Sequence, residues 1–114
     1  MLPTALTVSN PGTLTKEVTT LTRINTNLRV GTFNVQNLDP SDGATQFNNL
    51  ANRIVTNLGS PDILAIEEIQ DNNGATNTGI VDATITYQTL INASIRRRWA
   101  DLSIPPDRSS QQPR

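Results

Sequence analysis

Two carboxylates set directly behind an apolar run are the first chemically useful feature of this chain of 114 residues. Pro61-Asp62-Ile63-Leu64-Ala65-Ile66 leads into Glu67-Glu68-Ile69-Gln70-Asp71, which is how a buried parallel strand looks when it delivers acids to the rim of a sheet. Acids in that place suit a hard cation, which takes carboxylate oxygens. They are also what a strand shows where it simply meets solvent. The sequence holds no His and no Cys. An imidazole base, a thiolate nucleophile and a disulfide are therefore excluded, and any chemistry runs on carboxylates and amides.

The elements that position these acids can be read from period and punctuation. In Leu28-Arg29-Val30-Gly31-Thr32-Phe33-Asn34-Val35-Gln36-Asn37-Leu38, Leu28, Val30 and Thr32 alternate with Arg29, Gly31 and Phe33, a period of two that predicts a strand ending near Asn34. Asp39-Pro40-Ser41-Asp42-Gly43 reads as a loop that offers Ser41 or Asp42 as a helix N-cap. Phe47, Leu50, Ala51, Ile54, Val55 and Leu58 then fall on one helical face. Gly59 closes that helix at C′, and Ser60-Pro61 forbids its continuation.

Strand, helix and strand form a βαβ unit, which pairs its strands in parallel and ends both on one rim. That geometry predicts Asn34 and Glu68 as neighbours. Beyond the polar loop from Asp71 to Gly79, Asp82 can cap a second helix whose inward face is expected to be Ala83, Tyr87, Leu90, Ile91 and Ser94. Its many β-branched residues make it a poor helix alone, so it needs a surface to pack on.

Composition restrains the rest. Apolar residues make up 35% and aromatic residues 4% of the chain, which predicts a thin core, while Asn and Thr supply 29 residues suited to turns and capped ends. No run reaches the length of a membrane span. Met1-Leu2-Pro3-Thr4 has neither the basic region nor the apolar core of a signal peptide. Residues 1–94 carry Lys16, Arg23, Arg29 and Arg53 against eight acids, a net of −4, whereas residues 95–114 carry five Arg against Asp101 and Asp107, a net of +3. A shift that sharp marks a boundary near Ser94. Residues 1–27, rich in Thr, Asn and Pro, read as a linker with a short extended piece, and residues 95–114 as a disordered tail.

With Phe33-Asn34-Val35-Gln36-Asn37-Leu38 and Pro61-Asp62-Ile63-Leu64-Ala65-Ile66-Glu67-Glu68-Ile69-Gln70-Asp71 both in view, the chain resembles the endonuclease/exonuclease/phosphatase superfamily. It is most similar to the branch of large bacterial extracellular nucleases. The resemblance spans residues 28–94, with both motifs in the family's order and spacing. It implies an α/β fold in which the chain supplies an incomplete βαβα portion of a DNase I-like four-layer sandwich. It also implies Mg²⁺-dependent hydrolysis of nucleic acid or another phosphodiester. By position, Asn34 matches the family's catalytic amide, which orients the phosphate, and Glu68 its metal-ligand glutamate. Glu67 stands where the family usually has Gln, and its plainer reading is a surface acid. Asn37 and Asp71 read as residues that stabilise local turns.

The residue types suit that reaction, because a hard cation on a carboxylate neutralises phosphoryl charge and an amide bonds phosphate without adding repulsion. The family's later motifs, an Asp–Asn pair and a final Asp and His, have no counterpart here. Residues 1–94 also lack a basic patch that would hold a long nucleic acid by counterion release. The expectation is therefore a nuclease fragment that binds Mg²⁺ weakly and is inactive alone. The alternative is a small non-enzymatic βαβα module that binds a partner or a divalent ion.

The resemblance stops at Ser94, where charge also shifts. Codons can be chosen for Ile95–Arg114 such that reading one base later yields a glycine-rich string similar to the family's continuation, and the Trp99-Ala100 step gives Gly under any choice. Residues 95–114 are accordingly expected to be out of frame. Arg96, Arg97, Arg98 and Trp99 would otherwise suggest phosphate contact and base stacking.

Overall fold

The computed structural model describes residues 15–102. Asn10-Pro11-Gly12 and residues 103–114 of the expected tail lie outside them. The described chain is mixed α/β: strand β1 (Val30–Leu38), helix α1 (Gly43–Asn52), strand β2 (Ile63–Ile69) and helix α2 (Thr84–Asp101) follow in that order. β1 and β2 pair in parallel, with Val30 opposite Ile63 and Asn34 opposite Glu67. The α1 crossover between them is the connection that parallel pairing needs. Among the described residues the sheet has these two strands.

The register is set at the amino end of the sheet, where the Arg29 carbonyl accepts from Asp62 N at 2.9 Å and from Ile63 N at 3.1 Å. Arg29 N in turn donates to Asp62 Oδ2 at 3.0 Å. The Arg29 guanidinium donates to Gly59 O at 2.8 Å and Ser60 O at 2.7 Å, so one side chain ties the incoming end of β1 to the turn that leads into β2. Arg23 adds a second ion pair to Asp62. The hydrogen bond from Arg29 N, together with the two guanidinium charges, holds the Asp62 carboxyl below its usual value against a smaller opposing effect of desolvation.

The entry to α1 differs from the expected cap. Asp42 stands at the N-cap position of α1, one of the two expected residues, but makes no side-chain cap bond there. The capping bonds lie one turn earlier, where the Asp39 side chain accepts from Ser41 N at 2.6 Å and Asp42 Oδ2 accepts from Asp39 N at 2.9 Å. This reciprocal pair opens a short 3₁₀ turn over Pro40–Asp42, with Pro at its first position. The helix beyond Asn52 widens into a π-helical segment, Arg53–Asn57, and Gly59 closes it with a φ of +66°, as its position predicts.

One face of the sheet is covered. Phe33, Val35 and Leu38 of β1, with Leu64, Ile66 and Ile69 of β2, point toward the helices and meet Phe47, Leu50, Ala51 and Ile54. The other face is open, with Val30 64% and Ile63 51% exposed. α2 packs chiefly on α1, through Thr86, Leu90 and Ala93. The expected inward face is therefore rotated: Leu90 is shared, but Tyr87 and Ile91 lie exposed. Thr86 and Ala93 are small enough to bring α2 close to α1 at native packing density, which Tyr87 and Ile91 are not.

α2 also runs through the expected boundary at Ser94 to Asp101, so residues 95–101 are helix rather than disordered tail. Their side chains are exposed. Among the described residues no helix is long and apolar enough to cross a membrane.

Two outcomes follow from the Arg29–Asp62 lock. Arg29→Met should destabilise the fold by about 1–3 kcal/mol in urea denaturation, because Gly59 O and Ser60 O lose their donors. A carboxylate with a depressed folded-state pKa contributes stability above its unfolded value and loses it as pH falls. The melting temperature should thus hold from neutrality to about pH 5 and drop below about pH 4, with a shallower acid limb in Asp62→Asn.

Candidate functional site at the carboxyl rim

Parallel pairing brings the ends of β1 and β2 to one rim, opposite the Arg29–Asp62 lock. The register places Asn34 directly across from Glu67, with Glu68 one residue further along β2. Asn34 and Glu68, expected as neighbours, are thus one step apart in register, with Glu67 the direct cross-strand partner of Asn34. Glu67 continues the exposed face that Asn34 occupies, because alternate residues of paired strands share a face.

Beyond this pair both strands leave regular geometry. Gln36 (φ +60°), Asn37 (φ +58°) and Glu68 (φ +56°) adopt the left-handed conformation, and regular pairing resumes with Leu38 opposite Ile69. Three residues of β1 are thereby accommodated against one of β2, a bulge at the end of the sheet. For side chains other than Gly, Asn and Asp such backbone is costly, and residues held in it cluster at functional sites. Periodicity carries no signal for this feature. The best available hint was two polar runs, Gln36-Asn37 and Glu67-Glu68, at the ends of apolar strands.

Asn34 is oriented by its own strand. Its Oδ1 accepts from Gln36 N at 2.8 Å, which leaves its amide NH₂ as a donor toward solvent. Asn37 Oδ1 accepts from Gln70 Nε2 at 3.0 Å and Gln70 N donates to Leu38 O at 2.9 Å, so Asn37 ties the two strand ends together. Asp71 accepts from Asn73 N at 3.1 Å, a local turn bond of the expected kind.

The loop beyond β2 buttresses the rim. Gly74 is buried, has a φ of +62°, and a Cβ placed on it would lie 2.5 Å from Asp39 Oδ2. Only glycine allows the loop to close onto the Asp39 cap at that distance. The loop then delivers α2: Asn72 Oδ1 accepts from Ile85 N at 2.8 Å and Asn72 Nδ2 donates to Asp82 Oδ2 at 2.9 Å. Asp82 also accepts from the Thr84 hydroxyl and, at 2.9 Å, from Thr84 N. These bonds, that from the Thr84 hydroxyl first, hold the Asp82 carboxyl below its usual value.

The donor set is carboxylate and carboxamide oxygen, which fits Mg²⁺ in kind. In number it is small. Among the described residues no three acidic side chains converge as a ligand group, so Glu68 and Glu67 fit a cation that keeps most of its water. Comparison of the chain with protein-family models, with curated proteins and with solved structures finds no match.

The strain at Glu68 is open to test. Glu68→Gly should hold or raise stability by about 0.5–1 kcal/mol in chemical denaturation, since glycine removes the left-handed penalty while losing some unfolded-state restraint. Gly74→Ala should act oppositely. It should cost about 1 kcal/mol or more and weaken amide protection in the 71–79 loop.

Proposed function

We propose that the chain is the βαβα part of a Mg²⁺-dependent phosphodiesterase of the endonuclease/exonuclease/phosphatase kind, with a DNase I-like sandwich as the complete fold, and that it is inactive alone. The observation that supports this most is the placement of Asn34 across from Glu67, beside Glu68, on the shared rim of two parallel strands whose backbone is left-handed at that level. Left-handed backbone at residues other than glycine costs free energy and is concentrated at functional sites, which supports a use for the amide and carboxylates held there.

In this reading Glu68, assisted by Glu67, holds the cation. When bound, that cation neutralises charge on the phosphoryl oxygens. Asn34 donates its NH₂ to a non-bridging phosphate oxygen, its orientation set by the Gln36 N–H on Oδ1. Gln70 and Asn37 keep the two strand ends in step. The chain has no His, and this reading assigns no group of the rim to activate an attacking water. General acid–base help, worth roughly 10²–10⁴ in rate, is therefore missing from this part.

The open sheet face and the exposed flank of α2 favour a second reading, a non-enzymatic βαβα module that binds a partner or a divalent ion. Plasmid cleavage distinguishes the two. The chain with Mg²⁺ should cut no faster than its Glu68→Ala variant. The same chain continued from Ser94 in the +1 frame of its coding DNA should cut, and should lose cutting on Glu68→Ala. A continued chain that folds yet is inert would leave the binding module.

Metal binding has its own readout. Titrated Mn²⁺, a paramagnetic stand-in for Mg²⁺, should broaden the amide signals of Asn34, Glu67 and Glu68 with roughly millimolar or weaker affinity. Glu68→Gln should abolish the broadening.

A further inference from the structure

The two edges of the sheet differ, and the difference has a functional consequence. On the β1 side the preceding segment is laid against the molecule: Thr19 N donates to Asn57 O at 2.8 Å and Asn57 Nδ2 donates to Glu17 O at 2.7 Å. Lys16 and Glu17 line a recess with Phe33 there. On the β2 side, among the described residues, nothing follows. β2 presents an unpaired strand edge beside an apolar cleft of about 300 Å³, floored by Leu64 and Ile66 and walled by Tyr87, Ile91 and Ile95 of α2.

The wall is a regular stripe. Tyr87, Ile91, Ile95 and Trp99 recur every four residues and are 41%, 48%, 49% and 45% exposed, so they follow one side of the helix. An open edge strand beside a continuous apolar stripe is a surface that proteins normally cover.

Charge specifies the cover. α2 starts at the carboxyl rim, where Ile85 N bonds Asn72, and runs back beside β2 until Arg98 lies near Ser60 and Pro61 at the amino end of that strand. The flank formed by β2 and α2 is thus acidic beyond the rim end of the cleft, with exposed Glu68 and Asp82, and basic at the other end, with exposed Arg96 and Arg98, while Glu67 belongs to the opposite, open face of the sheet. Arg97 is paired with Asp101, whereas Arg96 and Arg98 make no ion pair among the described residues. A surface acidic at one end and basic at the other is complementary to itself when turned through a two-fold axis.

We infer that this face joins two copies of the chain in an antiparallel, two-fold symmetric dimer. β2 lies along β2 of the second copy, each α2 stripe closes against the other, and Arg96 and Arg98 of each copy face the acidic rim of its partner. The unpaired strand edge, the apolar stripe and both unpaired arginines are satisfied by this one arrangement, which concerns the chain with the 95–101 helix it has here.

Sedimentation velocity of the full chain tests it. The chain should dimerise with a dissociation constant of roughly 10 µM or tighter, and more weakly at high salt. Ile91→Glu combined with Ile95→Glu, both at exposed positions, should weaken the dimer about tenfold or more with an unchanged circular dichroism spectrum. Because the chain has no Cys, crosslinking gives a second measurement that does not depend on that variant folding. Mild oxidation of Ile91→Cys should give covalent dimer, and oxidation of Ala44→Cys, on the exposed side of α1, should not. A chain that stays monomeric in this range, a folded double variant that still dimerises, or equal crosslinking at both positions would overturn the inference.

Discussion

Arg29 and Asp62 hold this structure in register. The two residues meet through backbone and side chain at once, with the Arg29 carbonyl receiving two N–H groups from the start of β2 and its guanidinium gripping the two carbonyls of the turn before it. Parallel strands joined by a helix have no tight turn to fix their alignment, so a lock at the strand entrance does that work. A slip of one residue would turn Leu64 and Ile66 out of the core and bring Glu67 into it. Everything at the opposite rim, from the Asn34–Glu67 juxtaposition to the bulge at Gln36 and Asn37, inherits its position from this contact.

The rim is where the sheet departs from regular geometry. Asn34, Asn37 and Gln70 are amides that bond the backbone or one another across the strand ends, while Glu67 and Glu68 remain exposed. Neutral amides fix the shape without adding charge beside the carboxylates. The left-handed backbone at Glu68 is stabilised by its surroundings: Ile69 is pinned opposite Leu38 by the core, and the loop beyond is pinned by the close approach of Gly74 to Asp39. Local strain of this kind persists only when packing on both sides over-determines it.

The core is thin, as the low aromatic content demands. Phe47, Leu38, Val35 and Thr86 are its largest fully buried side chains, and it lies on one side of the β1–β2 sheet. α2 joins it through Thr86, Leu90 and Ala93 and leaves Tyr87, Ile91, Ile95 and Trp99 exposed along its outer flank. α2 thus has two faces with different tasks: one packs on α1, and the other is presented beside the edge of β2 that no strand pairs among the described residues.

The order of elements was determined by sequence alone, because it rests on local signals. The period of two before Asn34, the apolar face from Phe47 to Leu58, the stop at Gly59 and the run behind Pro61 each depend on residues a few positions apart. The absence of His and Cys also restricted the site to carboxylate and amide chemistry without any structure. Tertiary contacts decided the rest. Asn34 lies across from Glu67, with Glu68 displaced by one, because the Arg29–Asp62 lock between residues 33 positions apart sets the alignment, and no periodicity reports that. Asp42 holds the N-cap position of α1 but turns its carboxylate back to Asp39 N, because a 3₁₀ turn capped by Asp39 precedes the helix. α2 turned Thr86 and Ala93 inward in place of Tyr87 and Ile91 because closeness to α1 outweighs the hydrophobicity of individual side chains. It passed Ser94 without a break because helical hydrogen bonding continues through a change of charge that only the composition registers.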